Sequence, residues 1–333
     1  MSIQIIAELA QGFEGNPKQA CLLIKAAAAA GANAAKYQMV YADELATPDY
    51  EHYKLFKSLE MPNEVWKGLA LLASDLGIEL QVDIFGIQSL RLSENIGVKT
   101  IKLHGTDISN IGLLNEVANS SIKKVLLGAG GAYLAELDMA LEILSNKQVI
   151  ILLGFQGYPT LTPDNQISRV ALLVNRFKDA SQAVAIGFAD HAEQNTPLRY
   201  ALAAAALGAG ATVLEKHLTL GKVMKLEDYE SALNPDEFLE FTQTMQACYS
   251  AMGASNLSQD FGMCIGEQEY RKKIRRHVVA NRNLELGSVI GPDDLVLKRT
   301  SAKNVLTDIG AIYGMKLKEP VAHNHPITIA HFG

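Results

Sequence analysis

Short apolar runs recur along the chain and predict eight β-strands. Most of these runs are almost continuously apolar, which is typical of strands that are covered on both faces. The predicted strands are 3–9, 34–39, 78–84, 100–105, 124–130, 149–155, 183–190 and 212–218. Segments with a helical pattern separate them, and this regular alternation of strand and helix favours a parallel sheet.

The segments between the runs carry helix start and stop signals. Pro17 stands where a first helical turn tolerates proline, and Gly31 stands where the apolar pattern ends. The stretch "PNEVWKGLALLASDLG" repeats this arrangement. Eight strand and helix units within about 250 residues match the usual size of a (β/α)8 barrel. We therefore predict an α/β fold with a TIM barrel over residues 1–255; a doubly wound open sheet is the alternative.

The composition changes after the last predicted barrel unit. The stretch "EQEYRKKIRRHVVANRNLELGSVIGPDDLVLKRT" has a basic run followed by short strands, with turn signals at Asn283, Gly287 and Gly291. These features predict a linker over 256–271 and a small β-rich domain over 272–333. We expect the basic run to be a solvated face of the linker, because the chain as a whole is acidic.

Composition narrows the classes of function. Hydrophobic residues make up 48% of the chain, and the formal net charge is -6, so we expect a buried core and neither a nucleic-acid nor a membrane partner. The three cysteines are widely spaced and odd in number, which does not suggest a disulfide framework. No signal peptide or membrane span is recognised, so we expect a cytoplasmic protein.

Ionisable residues are frequent where the predicted strands end, which in a barrel is the face that carries the active site. Two of these strands end in histidine, "GFADH" at His191 and "LEKH" at His217. A single histidine in such a place is more often a packing residue, but two at equivalent places favour a metal pair. Two imidazoles could bind a divalent cation, and Lys36 and Lys102 on other strands could receive an anionic substrate.

Several stretches resemble the sialic acid synthase family in their order and spacing. They include "GANAAKYQ", "GVKTIKLHGTDISN", "GFADH" and "LGAGATVLEKHLTL", and the tail "HVVANRNLELGSVIGPDDLVLKR" resembles the antifreeze-like (SAF) domain that follows the barrel in that family. The resemblance covers nearly the whole chain, as a divergent member. It implies condensation of phosphoenolpyruvate with an N-acylated hexosamine to give a nonulosonic acid, with release of phosphate.

The resemblance also implies roles for single residues. His191 and His217 match the histidines that hold a divalent metal, expected to be Mn²⁺, with Mg²⁺ or Co²⁺ as alternatives. Glu8, Lys36 and Lys102 match catalytic positions of the family.

Further matching positions concern the substrates and the assembly. The residues expected to bind substrate are Gln38, Thr106, Tyr158, Asp228 and Arg299. In the family the tail domain reaches across a homodimer to the sugar, so Arg299 would act in the partner's barrel. The matching asparagine, Asn110, is more simply explained as a helix cap.

Departures from the family pattern leave the donor open. Asp83 lies in "VDIFG" where "STPFD" is usual, and Gly105, Gly128 and Ala189 replace hydroxyl residues that commonly help to hold the phosphate. Backbone N–H groups of "GAGG" and the Thr106 hydroxyl could rebuild the phosphate site. Alternatively, Asp83 would repel a phosphate.

The alternatives to a synthase are therefore a metal-dependent aldolase with another donor and a catalytically silent sugar-binding homologue. The acceptor could be N-acetylmannosamine-like or a diacetamido sugar.

Overall fold

The computed structural model of the protein describes residues 3–154, 157–178, 183–193, 198–253 and 261–333. The chain divides into two compact units, Met1–Gly253 and Ala254–Gly333. Residues 256–260 of the predicted linker lie outside the described residues, so the boundaries drawn from the sequence stay a prediction. No helix in the described ranges combines the length and the apolar character needed to cross a membrane.

The first unit is built on a closed barrel of eight parallel strands, hydrogen-bonded in chain order. The strands are β1 (Gln4–Ala10), β2 (Ala34–Met39), β3 (Glu79–Ile84), β4 (Thr100–Leu103), β5 (Lys124–Gly128), β6 (Gln148–Leu153), β7 (Val184–Asp190) and β8 (Val213–His217). Each corresponds to one of the eight apolar runs. The predicted (β/α)8 barrel is confirmed, and the open-sheet alternative is wrong because β1 pairs with β8.

Helices connect the strands on the outside of the barrel. Those of the first unit are α1 (Pro17–Ala29), α2 (Ala42–Leu45), α3 (Tyr53–Leu59), α4 (Asn63–Asp75), α5 (Ile87–Asn95), α6 (Ile111–Asn119), α7 (Leu134–Ile143), α8 (Ser168–Phe177), α9 (Ala201–Gly208) and α10 (Pro235–Ala251). Helix α1 begins at Pro17 as predicted, and the Asn16 side chain accepts hydrogen bonds from the backbone N–H groups of Lys18 and Gln19. Gly31 follows the helix with φ of 76°, a conformation that favours glycine.

Two apolar layers hold the barrel together. The outer layer lies between strands and helices and includes a cluster of Phe13, Tyr37 and Trp66, whose ring centroids are 5.6–6.0 Å apart. Burying one such side chain contributes roughly 1.5–3 kcal/mol. The inner layer lies inside the barrel and consists of Ile6, Ala34, Leu126, Ile150, Leu152 and Val213. This inner layer fills the barrel interior below the carboxyl ends of the strands, so the charged residues above it lie against packed apolar side chains.

The second unit has its own apolar core. Helix α11 (Ile265–Ile274) precedes two antiparallel strands, β9 (His277–Ala280) and β10 (Leu295–Lys298). Isolated bridges, such as that between Leu284 and Val321, join the turns that follow. Its core residues are Val278, Ala280, Leu284, Ile290, Leu295, Ile312, Leu317, Val321, Ile327 and Phe332. This small β-rich fold with a separate core agrees with the domain type predicted for the tail.

Candidate active site

The alternation of side chains along β7 and β8 separates two groups of polar residues. Glu215 and His217 lie two residues apart on β8 and share the inner face, whereas Lys216 between them points to the outer face. The Lys216 ammonium lies 2.9 Å from the Asp190 carboxylate, and both side chains are buried. Lys216 and Asp190 therefore form an ion pair on the outer face of the sheet and do not belong to the mouth of the barrel.

Five charged side chains meet inside the barrel at the carboxyl ends of β1 to β4 and β8. Lys36 Nζ donates to Glu8 Oε2 and, at 2.5 Å, to Asp83 Oδ1, and it lies 3.5 Å from Glu215 Oε2. Lys102 Nζ donates to Glu215 Oε1 at 2.7 Å and lies 3.7 Å from Asp83 Oδ2. All five are buried, so their charges compensate one another rather than being solvated. We call these five residues the lysine–carboxylate cluster.

The two glutamates of the cluster differ in acidity. Burial, together with the charges of Asp83 and Glu215, raises the pKa of Glu8 to about 8 despite the neighbouring Lys36. Burial also opposes ionisation of Glu215, but the charges of Lys102 and Lys36 outweigh it and hold the pKa of Glu215 below its ordinary value. A pair of carboxyl groups pushed apart in this way provides one proton donor and one permanent anion. Glu8 is therefore the glutamate of this pair that keeps its proton at neutral pH.

The position of the Glu8 carboxyl group is fixed by the backbone. The pairing of β1 with β2 shifts register between Glu8 and Ala10, as in a β-bulge. The Ala10 N–H group then donates to Glu8 Oε1 at 2.8 Å. Bulges at the rim of a barrel re-aim a side chain, and this one directs Glu8 into the lysine–carboxylate cluster.

His191 and His217 lie beside each other at the mouth, with ring centroids 5.2 Å apart. Burial lowers the pKa of His191 to about 3 and lowers the pKa of His217 well below its ordinary value. Both rings are therefore neutral at physiological pH, which is the form that binds metal ions. His191 Nδ1 is buried and has no hydrogen-bond partner among the described residues.

The residues present fit a metal held by two protein ligands. Two neutral imidazoles, one with an unpartnered buried nitrogen, are donors that suit Zn²⁺, Fe²⁺ and related ions, and Mn²⁺ fits when oxygen ligands complete its coordination. Across the described ranges, no group of three or more His, Cys, Asp or Glu side chains is arranged to hold a metal ion. The remaining ligands would therefore come from water or substrate. The metal role of His191 and His217 stays a prediction.

Tyr158 and Asp228 border the histidine pair. The Tyr158 ring stands edge-on to both imidazoles, with centroid distances of 5.2 Å to His191 and 5.7 Å to His217. Burial raises the pKa of Tyr158, so its hydroxyl stays protonated and can donate a hydrogen bond. Asp228 Oδ2 lies 3.8 Å from His217 Nδ1, and burial raises the pKa of Asp228 to about 7. The structure thus brings both predicted substrate-binding residues to the histidines.

The other predicted substrate-binding residues lie in different places. Gln38 follows Lys36 on the inner face of β2, and its side-chain oxygen accepts a hydrogen bond of 2.7 Å from Gln11 Nε2. Thr106 Oγ1 lies 3.0 Å from His104 Nδ1 in the loop after β4. Arg299 is exposed directly after β10, in the second unit. Their roles stay predictions. The Asn110 side chain accepts from the N–H group of Leu113, so its interpretation as a helix cap is confirmed.

The opposite side of the mouth, at the ends of β4 to β7, is built from glycine and alanine backbone. A Cβ atom on Gly128 would lie 2.8 Å from Gly105 N, and one on Gly130 would lie 2.4 Å from Gly154 O. Such close backbone approach leaves no room for side chains. The remaining cavity, of about 10 Å³, is lined by Lys102, Gly105, Gly128, Gly130, Leu152, Gly154, Ala189 and His191. It has room for about one water molecule. We call this side the glycine wall.

Cavity size alone does not mark the site. A cavity of about 890 Å³ lies at the other end of the barrel. Its lining includes the first residues of β3 to β6, which are Glu79, Thr100, Lys124 and Gln148. In barrels of this type the chemistry takes place at the carboxyl ends of the strands. The histidine pair and the lysine–carboxylate cluster therefore identify the candidate active site.

The sequence does not predict the contacts of two members of the cluster. It gives Glu215 no role and indicates only that Asp83 would repel a phosphate, whereas Glu215 contacts both lysines and Asp83 lies close to both. The signal that could have identified them is their two-residue spacing from other inward-facing positions, such as Gln81 for Asp83 and His217 for Glu215.

The comparison with family models identifies the chain. The model of the NeuB family matches residues 23–256, and the model of the SAF domain matches residues 275–333. The chain belongs to the NeuB family. The family resemblance proposed from the sequence is confirmed. The match includes His191, His217 and every member of the lysine–carboxylate cluster except Glu8, which lies before its first residue.

Individual known proteins are similar to this chain along most of its length. An N,N'-diacetyllegionaminic acid synthase from Legionella pneumophila is 26% identical, over 95% of this chain and 91% of its own length. The crystal structure of an N-acetylneuraminic acid (sialic acid) synthetase from Leptospira borgpetersenii, in complex with citrate, superposes with a TM-score of 0.73 at 26% identity, covering 83% of this chain and 93% of that one. A putative spore coat polysaccharide biosynthesis protein E from Chromobacterium violaceum has the same fold over the full length of both chains, with a TM-score of 0.83 and 21% identity.

Proposed function

We propose that this NeuB-family protein condenses phosphoenolpyruvate with an N-acylated amino sugar to form a nonulosonic acid, and releases phosphate. The observation that carries the proposal is that Glu8, Lys36 and Lys102 meet at the same barrel mouth as the paired His191 and His217. The activities of relatives that match over most of this chain support it.

The reaction joins C3 of the donor to the aldehyde carbon of the open-chain sugar. The aldehyde oxygen gains an electron pair and must receive a proton to become a hydroxyl group. Water then adds to C2 of the former donor, and phosphate leaves. The protein has to hold the donor's anionic groups, place the aldehyde carbon against C3, and deliver this proton.

A divalent cation, proposed to be manganese, would be held by His191 and His217. Bound there, the ion would act as a Lewis acid on the aldehyde oxygen of the sugar. The two imidazoles are neutral and buried, so they can serve as ligands without first losing a proton.

The chain's own groups supply the remaining functions. Lys36 and Lys102 keep their positive charge, because the surrounding carboxylates outweigh burial and raise the pKa of both ammonium groups. They attract the donor's carboxylate and phosphate groups. Glu8, which holds its proton at neutral pH, gives that proton to the aldehyde oxygen as the carbon–carbon bond forms.

The acceptor is expected to occupy the side of the mouth bordered by Tyr158 and Asp228. The Tyr158 hydroxyl donates, and the Asp228 carboxyl group accepts or donates near pH 7, so this pair can orient sugar hydroxyl groups. Gln38 and Thr106 provide further polar contacts. A sugar in this position would present its aldehyde to Glu8 and to the histidine pair.

We also propose a domain-crossed homodimer in the cytoplasm. In this arrangement Arg299 of the SAF domain contacts the N-acyl group of a sugar held in the partner's barrel. The exposure of Arg299 supports this role, since its guanidinium is available to a ligand. The three cysteines are free, which supports a reducing compartment.

A second candidate is a metal-dependent aldolase that uses the same mouth with a donor that has no phosphate group. One specific observation favours it: Asp83 forms an ion pair with Lys36 and lies within 4 Å of Lys102, so part of the lysines' charge is already neutralised. The glycine wall adds no cationic side chain. A catalytically silent homologue is less well supported, because the acid, the lysines and the histidine pair are all present.

The test is release of inorganic phosphate from phosphoenolpyruvate in the presence of manganese and a panel of N-acetylmannosamine and diacetamido-hexose acceptors. Product mass is measured in parallel. Acceptor-dependent phosphate together with the mass of a nonulosonic acid is the expected result. The same product mass from pyruvate, without phosphate release, would replace the synthase by the aldolase. No product from either donor with a folded, metal-loaded protein would contradict both.

A further inference from the structure

Asp83 has a position that the proposed chemistry does not require. Its carboxylate lies at the end of β3, fully buried, with Oδ1 2.5 Å from Lys36 Nζ and Oδ2 3.7 Å from Lys102 Nζ. Asp83 thus reaches both ammonium groups that a donor would use. Its Oδ2 atom has no hydrogen-bond partner among the described residues.

The charge of the cluster shows what this position does. The Glu215 carboxylate lies 2.7 Å from Lys102 Nζ and 3.5 Å from Lys36 Nζ, and Glu8 contacts Lys36 directly. Glu8 keeps its proton at neutral pH, so Glu215 by itself would leave the two ammonium groups with one net positive charge. The Asp83 carboxylate cancels that charge, so the cluster offers no net positive charge to a donor. A second anionic group on a donor therefore gains little attraction, although Coulomb interactions are strong in a buried site.

The space around the lysines leads to the same conclusion. Lys102 also lines the cavity of the glycine wall, which at about 10 Å³ has room for little more than one water molecule. Its lining residues other than Lys102 and His191 carry no ionisable side chain. A doubly charged group therefore finds neither a pocket nor a new cation there, and it must share the lysines with Asp83.

We infer that Asp83 is a specificity-determining residue: its carboxylate occupies the anion position between Lys36 and Lys102 and lowers the affinity for donors that carry a phosphate beside their carboxylate. The inference rests on the proposed donor site and refines it. Phosphoenolpyruvate then binds this protein only weakly, and a three-carbon acid with a single carboxylate, such as pyruvate, loses much less affinity.

The test is the affinity of the full-length protein for phosphoenolpyruvate and for pyruvate, measured by calorimetry in one manganese-containing buffer without acceptor. Asp83→Asn keeps the shape of the side chain and removes its charge. We expect this variant to bind phosphoenolpyruvate tighter by about tenfold to a hundredfold, and pyruvate by about threefold or less. Asp107→Asn, which removes the same charge in the loop after β4, should leave the affinity for both ligands within about twofold.

An Asp83→Asn protein that is folded but binds phosphoenolpyruvate no tighter than the wild type would overturn the inference. If that variant fails to fold, the ratio of the two affinities in the wild-type protein is the test. Phosphoenolpyruvate should bind it no more than about threefold tighter than pyruvate, although it has a second anionic group. Binding tighter than this limit would show that Asp83 does not weaken the binding of the phosphate group. No turnover is needed, so the absence of any condensation product would count against the proposed function and not against this inference.

Discussion

The two sides of the barrel mouth are built on opposite principles. On one side, β1 to β4 and β8 contribute Glu8, Lys36, Asp83, Lys102 and Glu215, all buried and all in reach of an opposite charge. On the other side, the glycine wall at the ends of β4 to β7 contributes glycines whose backbones pack closely against one another. One side carries charged groups that can act on a substrate. The other side is packed so closely that it leaves almost no space for water and sets the shape of the mouth. Substrate recognition should therefore depend on the first side and stability on both.

The largest expected effect concerns the histidines that lie where the two sides meet. His191→Ala should reduce kcat by about a thousandfold or more, because a Lewis acid supplies several kcal/mol to the transition state. The measurement is acceptor-dependent product formation together with manganese binding by equilibrium dialysis. His52→Ala, at an exposed histidine, is the control and should change neither quantity. Unchanged turnover in His191→Ala would remove the metal role.

The charged side should be sensitive to loss of a single cation. Lys36→Met leaves three buried carboxyl groups with one ammonium group, and breaking a buried ion pair in this way costs about 3–5 kcal/mol. Urea unfolding would measure this loss in the free energy of unfolding. Lys57→Met removes a half-exposed ion pair at the surface and should cost about 1 kcal/mol or less. Equal losses in the two variants would mean that the cluster is not a buried charge network.

The glycine wall should respond to volume instead of charge. Gly130→Ala places a methyl group 2.4 Å from the Gly154 carbonyl oxygen, so the loops must move apart, at an expected cost of about 1–3 kcal/mol. Gly68→Ala is the matched control, since a Cβ there meets nothing within 4 Å and the position lies inside helix α4. It should stabilise the fold by about 0.5–1 kcal/mol. A neutral Gly130→Ala would show that the wall is not tightly packed.

The smallest expected effect is a dependence of activity on pH. The folded-state pKa of Glu8 is raised to about 8, so its proton is present below that pH and is lost as pH rises through it. The rate at saturating substrate should therefore fall above about pH 8, by up to tenfold per pH unit. Glu8→Gln cannot transfer the proton and should show a rate about a hundredfold lower without this alkaline decrease. A wild-type rate that is flat to pH 10 would rule out Glu8 as the acid.

The sequence predicted one side of the mouth better than the other. The apolar runs identified all eight strands, because strands covered on both faces leave a strong local pattern. The ends of those strands then identified Lys36, Lys102, His191 and His217 as neighbours in space.

Other features depend on more than one segment of the chain. The contact of Asp83 with Lys36 joins residues 47 positions apart, and the sequence alone did not show that this carboxylate would neutralise a lysine. The glycine wall needs the backbones of successive loops to approach one another, whereas each glycine by itself looked like an ordinary turn residue.

The proposed chemistry requires the donor to bind on the charged side of the mouth and the metal to bind next to it, where the two sides meet. A crystal structure of the full-length protein with manganese and phosphoenolpyruvate, using anomalous scattering from the metal, tests it most directly. We expect manganese between His191 and His217, and a donor carboxylate within hydrogen-bonding distance of Lys36 or Lys102. Manganese bound elsewhere, or a donor held away from both lysines, would contradict it.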